Sequence, residues 1–532
     1  MLLNNLDDYM KKYPNKRPDI IQQYGTAGFR NKADTLFHVT FRSGILATLR
    51  SRSTNGIIGV MITASHNPEE DNGLKIIEPD GSMLEQSWEK LATKIANIPD
   101  DNLEQCIADM VKELNINLKD TVAKVYLARD TRKSSPSLSI ALMDGIKACH
   151  GEFQDFGLLT TPQLHYIVRC ANSNGQYGEP SEKGYYEKLS HAFLRLTEHS
   201  KQQKLHLIVD CANGVGAQKM KLMAPYLIEK ITFDLINIGD GTLNLGCGAD
   251  FVKVNQRQPD SIELKSNQHY VSFDGDADRI VFYYRNDRDG KFHLLDGDKI
   301  SALVAKFLQQ LLNESGLNNI EMIVVQTAYA NGNSTKYISD TLKLISDCVP
   351  TGVKHLHHRA LQSEIGIYFE ANGHGTILFS DNVQKQIAKC SNENAKKLLH
   401  FIDLVNQTVG DAISDMLIVE AILDNLNLTI DEWDSFYQDL PNKLLKVAVK
   451  DRNVITTTDA ERKCVKPEGL QMAIDKVVAE FGPQARSFIR PSGTEDVVRI
   501  YAEAQTKEMA DNLARKVGNL VYDFANGIGS KF

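Results

Sequence analysis

Ser65 stands in the run Thr63-Ala64-Ser65-His66-Asn67-Pro68-Glu69-Glu70-Asp71-Asn72-Gly73-Leu74-Lys75, a hydroxyl beside an imidazole with an ammonium further along. Carried on a rigid scaffold, such a hydroxyl suits a nucleophile or the carrier of a phosphoryl group. Taken alone, the segment reads equally as a strand followed by a polar turn. The run Ser272-Phe273-Asp274-Gly275-Asp276-Ala277-Asp278-Arg279 presents three carboxylates on alternate residues, with small residues between them. Three hard oxygen donors from one short loop suit Mg2+, which keeps further positions for water or phosphate oxygens. The spacing, with no closing glutamate, is not that of an EF-hand. The competing reading is a solvated acidic turn.

Two further runs carry binding chemistry. Arg490-Pro491-Ser492-Gly493-Thr494-Glu495-Asp496 combines a guanidinium, two hydroxyls and a turn glycine, and Arg499 follows on the next strand. Such a loop clamps phosphate with charge-assisted bonds and aimed backbone N–H groups, although Pro-Ser-Gly-Thr also reads as a plain turn. Tyr368-Phe369-Glu370-Ala371-Asn372-Gly373-His374-Gly375 offers Glu370, Asn372 and His374, a set suited to sugar hydroxyls and an amide. Two basic segments are additional phosphate candidates: Tyr24 to Arg30, and Ala128-Arg129-Asp130-Thr131-Arg132. Leu295-Asp296-Gly297-Asp298 looks like the acidic loop but reads as a turn with Asp298 capping the helix that follows. His355-Leu356-His357-His358 lacks the helical pairing with a carboxylate that a metal site needs.

These loops need strands to carry them. Ile57 to Ile62 is a short apolar run ending just before Ser65, and Lys124 to Ala128, Leu205 to Val209, Met322 to Gln326 and Gly375 to Phe379 read as buried strands. An amphipathic helix follows Asp298, with Ile300, Leu303, Val304, Phe307, Leu308, Leu311 and Leu312 on one face. Alternation of strands and helices predicts α/β domains with mixed sheets. The alternation recurs about three times before residue 400, each time with a Gly- or Asp-rich loop, which suggests a structural repeat. Asn172 to Lys183 reads as a boundary, Ser380 to Asn394 as a polar loop, and Lys507 to Ala525 as a terminal helix.

At 532 residues the chain is too long for one core. Its net charge of -8 excludes the basic surplus of a nucleic-acid binder. No apolar run approaches the roughly 20 residues of a membrane span. Met1 to Arg17 has no apolar signal core, and the eight cysteines lack Cys-x-x-Cys spacing. The expectation is a cytoplasmic protein with reduced thiols.

Together these segments resemble the α-D-phosphohexomutase superfamily from Tyr24 to about Ala504, with four loops in the family's order: phosphoserine, metal, sugar, phosphate. Hexose-phosphate mutases carry a sugar loop resembling Gly-Glu-x-Ser-Gly-His. Here Glu370-Ala371-Asn372-Gly373-His374-Gly375 resembles the N-acetylglucosamine branch. So do Asp210-Cys211-Ala212-Asn213-Gly214, Cys247-Gly248-Ala249-Asp250 and Thr351-Gly352-Val353-Lys354-His355. Ala128 stands where many members have Gly, leaving Arg129 and Arg132 in place.

The resemblance implies an α/β protein of four domains around a central cleft: three similar mixed-sheet domains and a smaller C-terminal α+β domain. Their expected extents are 1–175, 176–290, 291–440 and 441–532. It implies a mutase interconverting N-acetylglucosamine 6-phosphate and 1-phosphate through a phosphoserine, feeding UDP-N-acetylglucosamine synthesis. A sugar 1,6-bisphosphate would be both intermediate and primer. A glucose- or mannose-phosphate mutase is the alternative, which the sugar loop disfavours. A non-catalytic sugar-phosphate binder is a third, which Ser65 with three aspartates disfavours. By resemblance, Ser65 carries the phosphoryl group and shares Mg2+ with Asp274, Asp276 and Asp278. Arg30, His66, Lys75 and Arg279 line the reacting centre, with Lys75 or His66 as acid/base. Glu370, Asn372 and His374 hold the sugar, and Arg490, Ser492, Gly493, Thr494 and Arg499 hold the idle phosphate. The implied partner is a small phosphosugar, with neither nucleic acid nor membrane, and the implied state is a monomer.

Overall fold

The computed structural model describes residues 6–118, 122–200, 204–266, 268–493 and 495–532. Three mixed sheets follow one another, then an antiparallel one. The first orders its strands Phe29–Lys32, Asp71–Ile77, Ile57–Ile62, Lys124–Arg129 and Glu152–Leu158. The second runs Phe292–Leu295, Ile280–Arg285, His269–Phe273, Leu205–Asp210 and Ile231–Ile236, and the third Ile345–Val349, Met322–Thr327, Ile365–Phe369 and Gly375–Phe379.

One topological feature recurs in all three, and the suspected repeat is real at this level. A middle strand has a parallel neighbour on one side and an antiparallel hairpin partner on the other. These middle strands are Ile57–Ile62, His269–Phe273 and Ile365–Phe369. The hairpin loop that reverses the chain is 63–70 in the first sheet, 274–279 in the second and 370–374 in the third. Each loop therefore leaves the carboxyl end of a strand where the sheet changes from parallel to antiparallel. Such switch points leave room for a ligand above the strand ends. The serine, aspartate and sugar-type loops thus occupy equivalent places.

The inner strands form where β-branched and aliphatic residues run together and are buried on both faces, whereas edge strands such as Glu152–Leu158 and Ile345–Val349 are largely half-buried or exposed. Met322–Thr327 and Gly375–Phe379 are buried throughout. Helix Ala412–Leu426 runs through the core shared by the second and third domains. Trp433, fully buried, packs edge-on against Phe282 and donates its indole N–H to Lys299 O at 3.0 Å. The C-terminal domain is a sheet of Asn442–Ala448, Val497–Glu503 and Arg486–Pro491 with its own small core, a hairpin of Thr456–Thr458 and Lys463–Lys466, and helix Lys507–Phe524.

Two expectations need correction. Ser380 to Asn394 is not a loop: helices Asp381–Ala388 and Glu393–Leu404 cover most of it. Its polar residues are caps, Ser380 accepting from Val383 N and Asn392 from Ala395 N, while Val383, Ile387, Ala395 and Leu398 are buried. The cap of helix Gly297–Glu314 is Asp296 rather than Asp298. Asp298 is buried and accepts the N–H of Asn331 instead, at 2.8 Å.

Candidate active site

Ser65 sits at φ +52 on its loop, a conformation that L residues adopt only when the surroundings hold it there. The holding groups are visible. Ser65 N–H donates to Thr63 Oγ1 at 3.0 Å. Arg132, fully buried, donates to the carbonyls of Ser65 and Asn67 at 2.9 Å, of Pro68 at 2.5 Å and of Asp71 at 3.0 Å. Its Nε pairs with buried Asp130 at 3.0 Å. Asn244, from the second domain, donates to the same Ser65 and Asn67 carbonyls at 2.9 and 3.1 Å. Arg132 is thus spent on shaping the loop and is not a phosphate site. Arg129 pairs with Asp155 at 3.7 Å.

So held, Ser65 reaches into the aspartate loop. Its Oγ donates to Asp274 Oδ2 at 2.6 Å and lies 3.3 Å from Asp278 Oδ1. Ligand oxygens of Asp274, Asp276 and Asp278 lie within 4.8 Å of one another, all buried. Lys75 reaches Asp278 Oδ2 at 2.7 Å and Asp276 Oδ2 at 3.2 Å. Thr161 donates to Asp276 Oδ2 at 2.5 Å. The loop itself rests on the Asp210–Gly214 segment: Val215 N–H donates to Gly275 O at 3.1 Å, and a Cβ at Gly214 would meet that oxygen at 2.3 Å. Asp210 accepts from Ser272 Oγ, Gly248 N and Asn237 Nδ2, each at 2.7 Å.

Three buried carboxylates this close cannot all ionise alike. Burial, then Asp278 and Asp276, push Asp274 well above the carboxylate range. Asp278 is equally buried, yet Lys75 and His374 pull it well below that range. Burial alone would lower Lys75, but Asp276 and Asp278 outweigh it and raise its pKa. Burial, with Arg279 and Arg30 nearby, holds His66 well below the usual imidazole value.

A cavity of about 250 Å³ opens beside this cluster. Every domain contributes to its wall: Arg30 and Lys75 from the first, Asp278 and Arg279 from the second, Glu370, Asn372 and His374 from the third, and Arg490 from the fourth. Ser65, His66, Asp274 and Asp276 are not among its lining residues. Asn372 Oδ1 accepts the N–H of His374 at 3.0 Å, a turn that depends on Gly373 at φ +86. A Cβ at Gly373 would meet Ile280 O at 1.7 Å, so sugar-type loop and aspartate loop are pressed together. Arg279 is fixed by Asp250 at 2.8 Å.

The phosphate-type loop is divided. Arg490 reaches the cavity, while Ser492, Gly493 and Arg499 are not among its lining residues. Ser492 is buried, Gly493 is exposed, and Arg499 faces Arg490 across the strand pair. Thr494 lies outside the described residues.

Several buried polar atoms around the site lack a hydrogen-bond partner among the described residues. They are Asp276 Oδ1 and the nitrogens Arg30 Nε, Arg279 Nε, His66 Nδ1, His374 Nε2 and Arg499 Nε. An unsatisfied carboxylate oxygen beside two further carboxylates suits a divalent cation, and unsatisfied guanidinium donors suit phosphate. Sequence reasoning missed Thr161, Asn244, Asp250 as the partner of Arg279, and His165. His165 is buried and lines the cavity. Its Nδ1 bonds Gly81 O at 2.7 Å, which leaves Nε2, without a partner, as an acceptor.

Comparison with known proteins agrees with this geometry. Family models match across the chain: phosphoglucomutase/phosphomannomutase α/β/α domain I over 46–102 and 100–178, and phosphoacetylglucosamine mutase domains II over 180–281 and III over 296–428. The phosphoglucomutase/phosphomannomutase C-terminal domain matches 444–519. Human phosphoacetylglucosamine mutase is 52% identical over 523 residues, covering 96% of each chain. The Aspergillus fumigatus N-acetylphosphoglucosamine mutase in complex with GlcNAc-6P and magnesium superposes with a TM-score of 0.93 at 46% identity, covering 98% of this chain and 99% of that one. A serine-to-alanine form of it, in complex with glucose 1,6-bisphosphate, gives the same score and identity over 98% of both chains. The chain belongs to the phosphoacetylglucosamine mutase family of the α-D-phosphohexomutase superfamily.

Proposed function

We propose that this protein interconverts N-acetylglucosamine 6-phosphate and N-acetylglucosamine 1-phosphate, with Ser65 as its phosphoryl carrier. The observation carrying the reading is the 2.6 Å bond from Ser65 Oγ to Asp274, which sets a hydroxyl against three clustered carboxylates beside a four-domain cavity. Asp274, Asp276, Asp278 and a phosphoryl oxygen on Ser65 would hold Mg2+; the unsatisfied Asp276 Oδ1 supports that fit. When bound, the ion neutralises charge on the transferring group.

The phosphoryl group passes from Ser65 Oγ to the free hydroxyl of the monophosphate sugar. The resulting 1,6-bisphosphate turns within the cleft and returns its other phosphoryl group to Ser65. A sugar 1,6-bisphosphate also primes an unloaded serine. Arg30 and Arg279 supply positive charge at the reacting centre. Lys75 or His66 handles the proton lost and regained by the sugar oxygen. Lys75 shares Asp278 with the serine, which supports its part in this. Glu370, Asn372 and His374 hold the sugar in either orientation. Arg490, with Ser492, Gly493, Thr494 and Arg499, holds the phosphate that is not reacting.

The proposed domains are 1–175, 176–290, 291–440 and 441–532; the four larger sheets support this division, with the edge strand Phe292–Leu295 of the second sheet falling just past residue 290. No helix among the described residues is long and apolar enough to cross a membrane. Eight free cysteines, six of them buried, support a reducing cytoplasmic location, and we take the protein to act there as a monomer supplying UDP-N-acetylglucosamine synthesis.

Ser65→Ala, primed with a trace of sugar bisphosphate, is expected to lose turnover while keeping its melting temperature. Wild-type rates in that variant would refute the phosphoserine. Relative kcat/KM for N-acetylglucosamine 6-phosphate and glucose 6-phosphate tests the substrate; a preference for glucose would move the reading to a hexose-phosphate mutase.

A further inference from the structure

Glu461 lies on the hairpin between Thr456–Thr458 and Lys463–Lys466, in a part of the C-terminal domain that the reaction has not used. Asp459, Ala460 and Glu461 have φ of 53°, 51° and 69°, three consecutive non-glycine residues in the left-handed region. Such a run persists only where surrounding contacts hold it, and it is a reason to look for function.

The contacts are specific. Glu461 Oε2 accepts the backbone N–H of Thr351 at 3.0 Å and its hydroxyl at 2.5 Å. Glu461 Oε1 accepts from Arg490 Nε at 2.9 Å. Thr351 belongs to the third domain and lines the cavity with Gly352 and Val353, and Arg490 lines it from the fourth. One carboxylate therefore joins the wall beside the sugar loop to the guanidinium that faces the phosphate.

The geometry points to Glu461 as a positioning residue: we propose that it pins Arg490 by Nε so that the far side of the guanidinium meets the substrate's idle phosphate, and ties that pose to the Thr351 loop. This rests on the assignment of Arg490 to phosphate. A phosphate is best gripped by the paired nitrogens of the guanidinium fork, and a carboxylate on Nε leaves that edge unblocked. Two donors from Thr351 spend the other carboxylate oxygen, which damps its repulsion of the incoming anion. Arg499 is the direct cross-strand neighbour of Arg490, and like charges so placed repel. Without Glu461, Arg490 would swing from its pose and have to be ordered again when substrate binds. Other ties between these domains, from Gly332 N to Glu503 and from Arg486 to the carbonyls of Ala328 and Ala330, involve no cavity-lining residue.

The test is steady-state kinetics with N-acetylglucosamine 6-phosphate, and inhibition by inorganic phosphate, in Glu461→Gln, Arg490→Ala and the double variant. Ordering a long side chain afresh predicts KM and the phosphate inhibition constant raised about tenfold in Glu461→Gln, with kcat within about twofold and an unchanged melting temperature. Arg490→Ala should raise KM at least as much, and the double variant should add little to it. Glu461→Asp, one methylene short, should not restore KM. If Arg490→Ala raises KM while Glu461→Gln leaves it unchanged or lowers it, the inference fails and the clamp stands. If Arg490→Ala leaves KM unchanged, the clamp fails and the inference with it.

Discussion

Arg132→Met should be among the most damaging changes that touch neither substrate nor metal ligands. The side chains are close in volume, so the change removes donors rather than packing. Four loop carbonyls lose their shared arginine, but Asn244 still serves those of Ser65 and Asn67. The larger loss is at Asp130, buried and paired with Arg132 Nε at 3.0 Å. Thr63 Oγ1 and Ser135 Oγ, both at 2.8 Å, remain as neutral partners. Breaking one side of a buried ion pair costs about 3–5 kcal/mol. At roughly 2–4 °C per kcal/mol for a domain of this size, the first domain's transition should fall on the order of 10 °C. A loop that relaxes by about 1 Å at Ser65 should also lose about 100-fold in kcat. Differential scanning calorimetry and the mutase assay read the two effects. Arg132→Met with Asp130→Asn removes the stranded charge and should recover part of the melting temperature but little of kcat. A single variant that melts within about 2 °C of wild type and keeps its kcat would refute this account of the loop.

Gly373→Ala should cut kcat/KM about 100-fold in the same assay. Its Cβ would sit 1.7 Å from Ile280 O at φ +86, so the 370–374 loop or the 274–279 loop must move. Wild-type kinetics would mean the loops are not coupled. His269, paired with Glu420 at 3.2 Å, has its pKa lowered by burial but raised overall by Glu420. A raised histidine stabilises fully below its unfolded value of about 6.5 and loses that contribution as pH climbs through the folded value. The difference in melting temperature between wild type and Glu420→Gln should therefore shrink as pH rises from about 6 to 9, and a pH-independent difference would exclude the pair as its source.

Much of the site was legible because its chemistry is local. Asp274, Asp276 and Asp278 sit on alternate residues of one loop, so their convergence follows from chain geometry alone, and Ser65 is marked by the apolar strand before it. Ser380 and Asn392 misled because a capping polar residue has the composition of a loop; only the buried faces of the helices behind them settle the matter. Asp298 reads as the cap in sequence although the helix already begins at Gly297; what makes Asp296 the cap is its side chain turning back onto the backbone, which residue type does not show.

By itself, the sequence determined the four loops, their order and the residue types on each, because these are written in adjacent positions. The tertiary structure alone decided that Ser65 meets Asp274 across 209 residues of chain, and that Arg132, Asn244, Thr161, Asp250 and Glu461 hold the parts together. Each is a residue of common type, and even where its segment stood out, as at Arg132 and Asp250, no spacing showed which partner it would meet. What selects them is the packing of four domains around one cavity: a buried charge or carbonyl must find its partner wherever the fold brings one near.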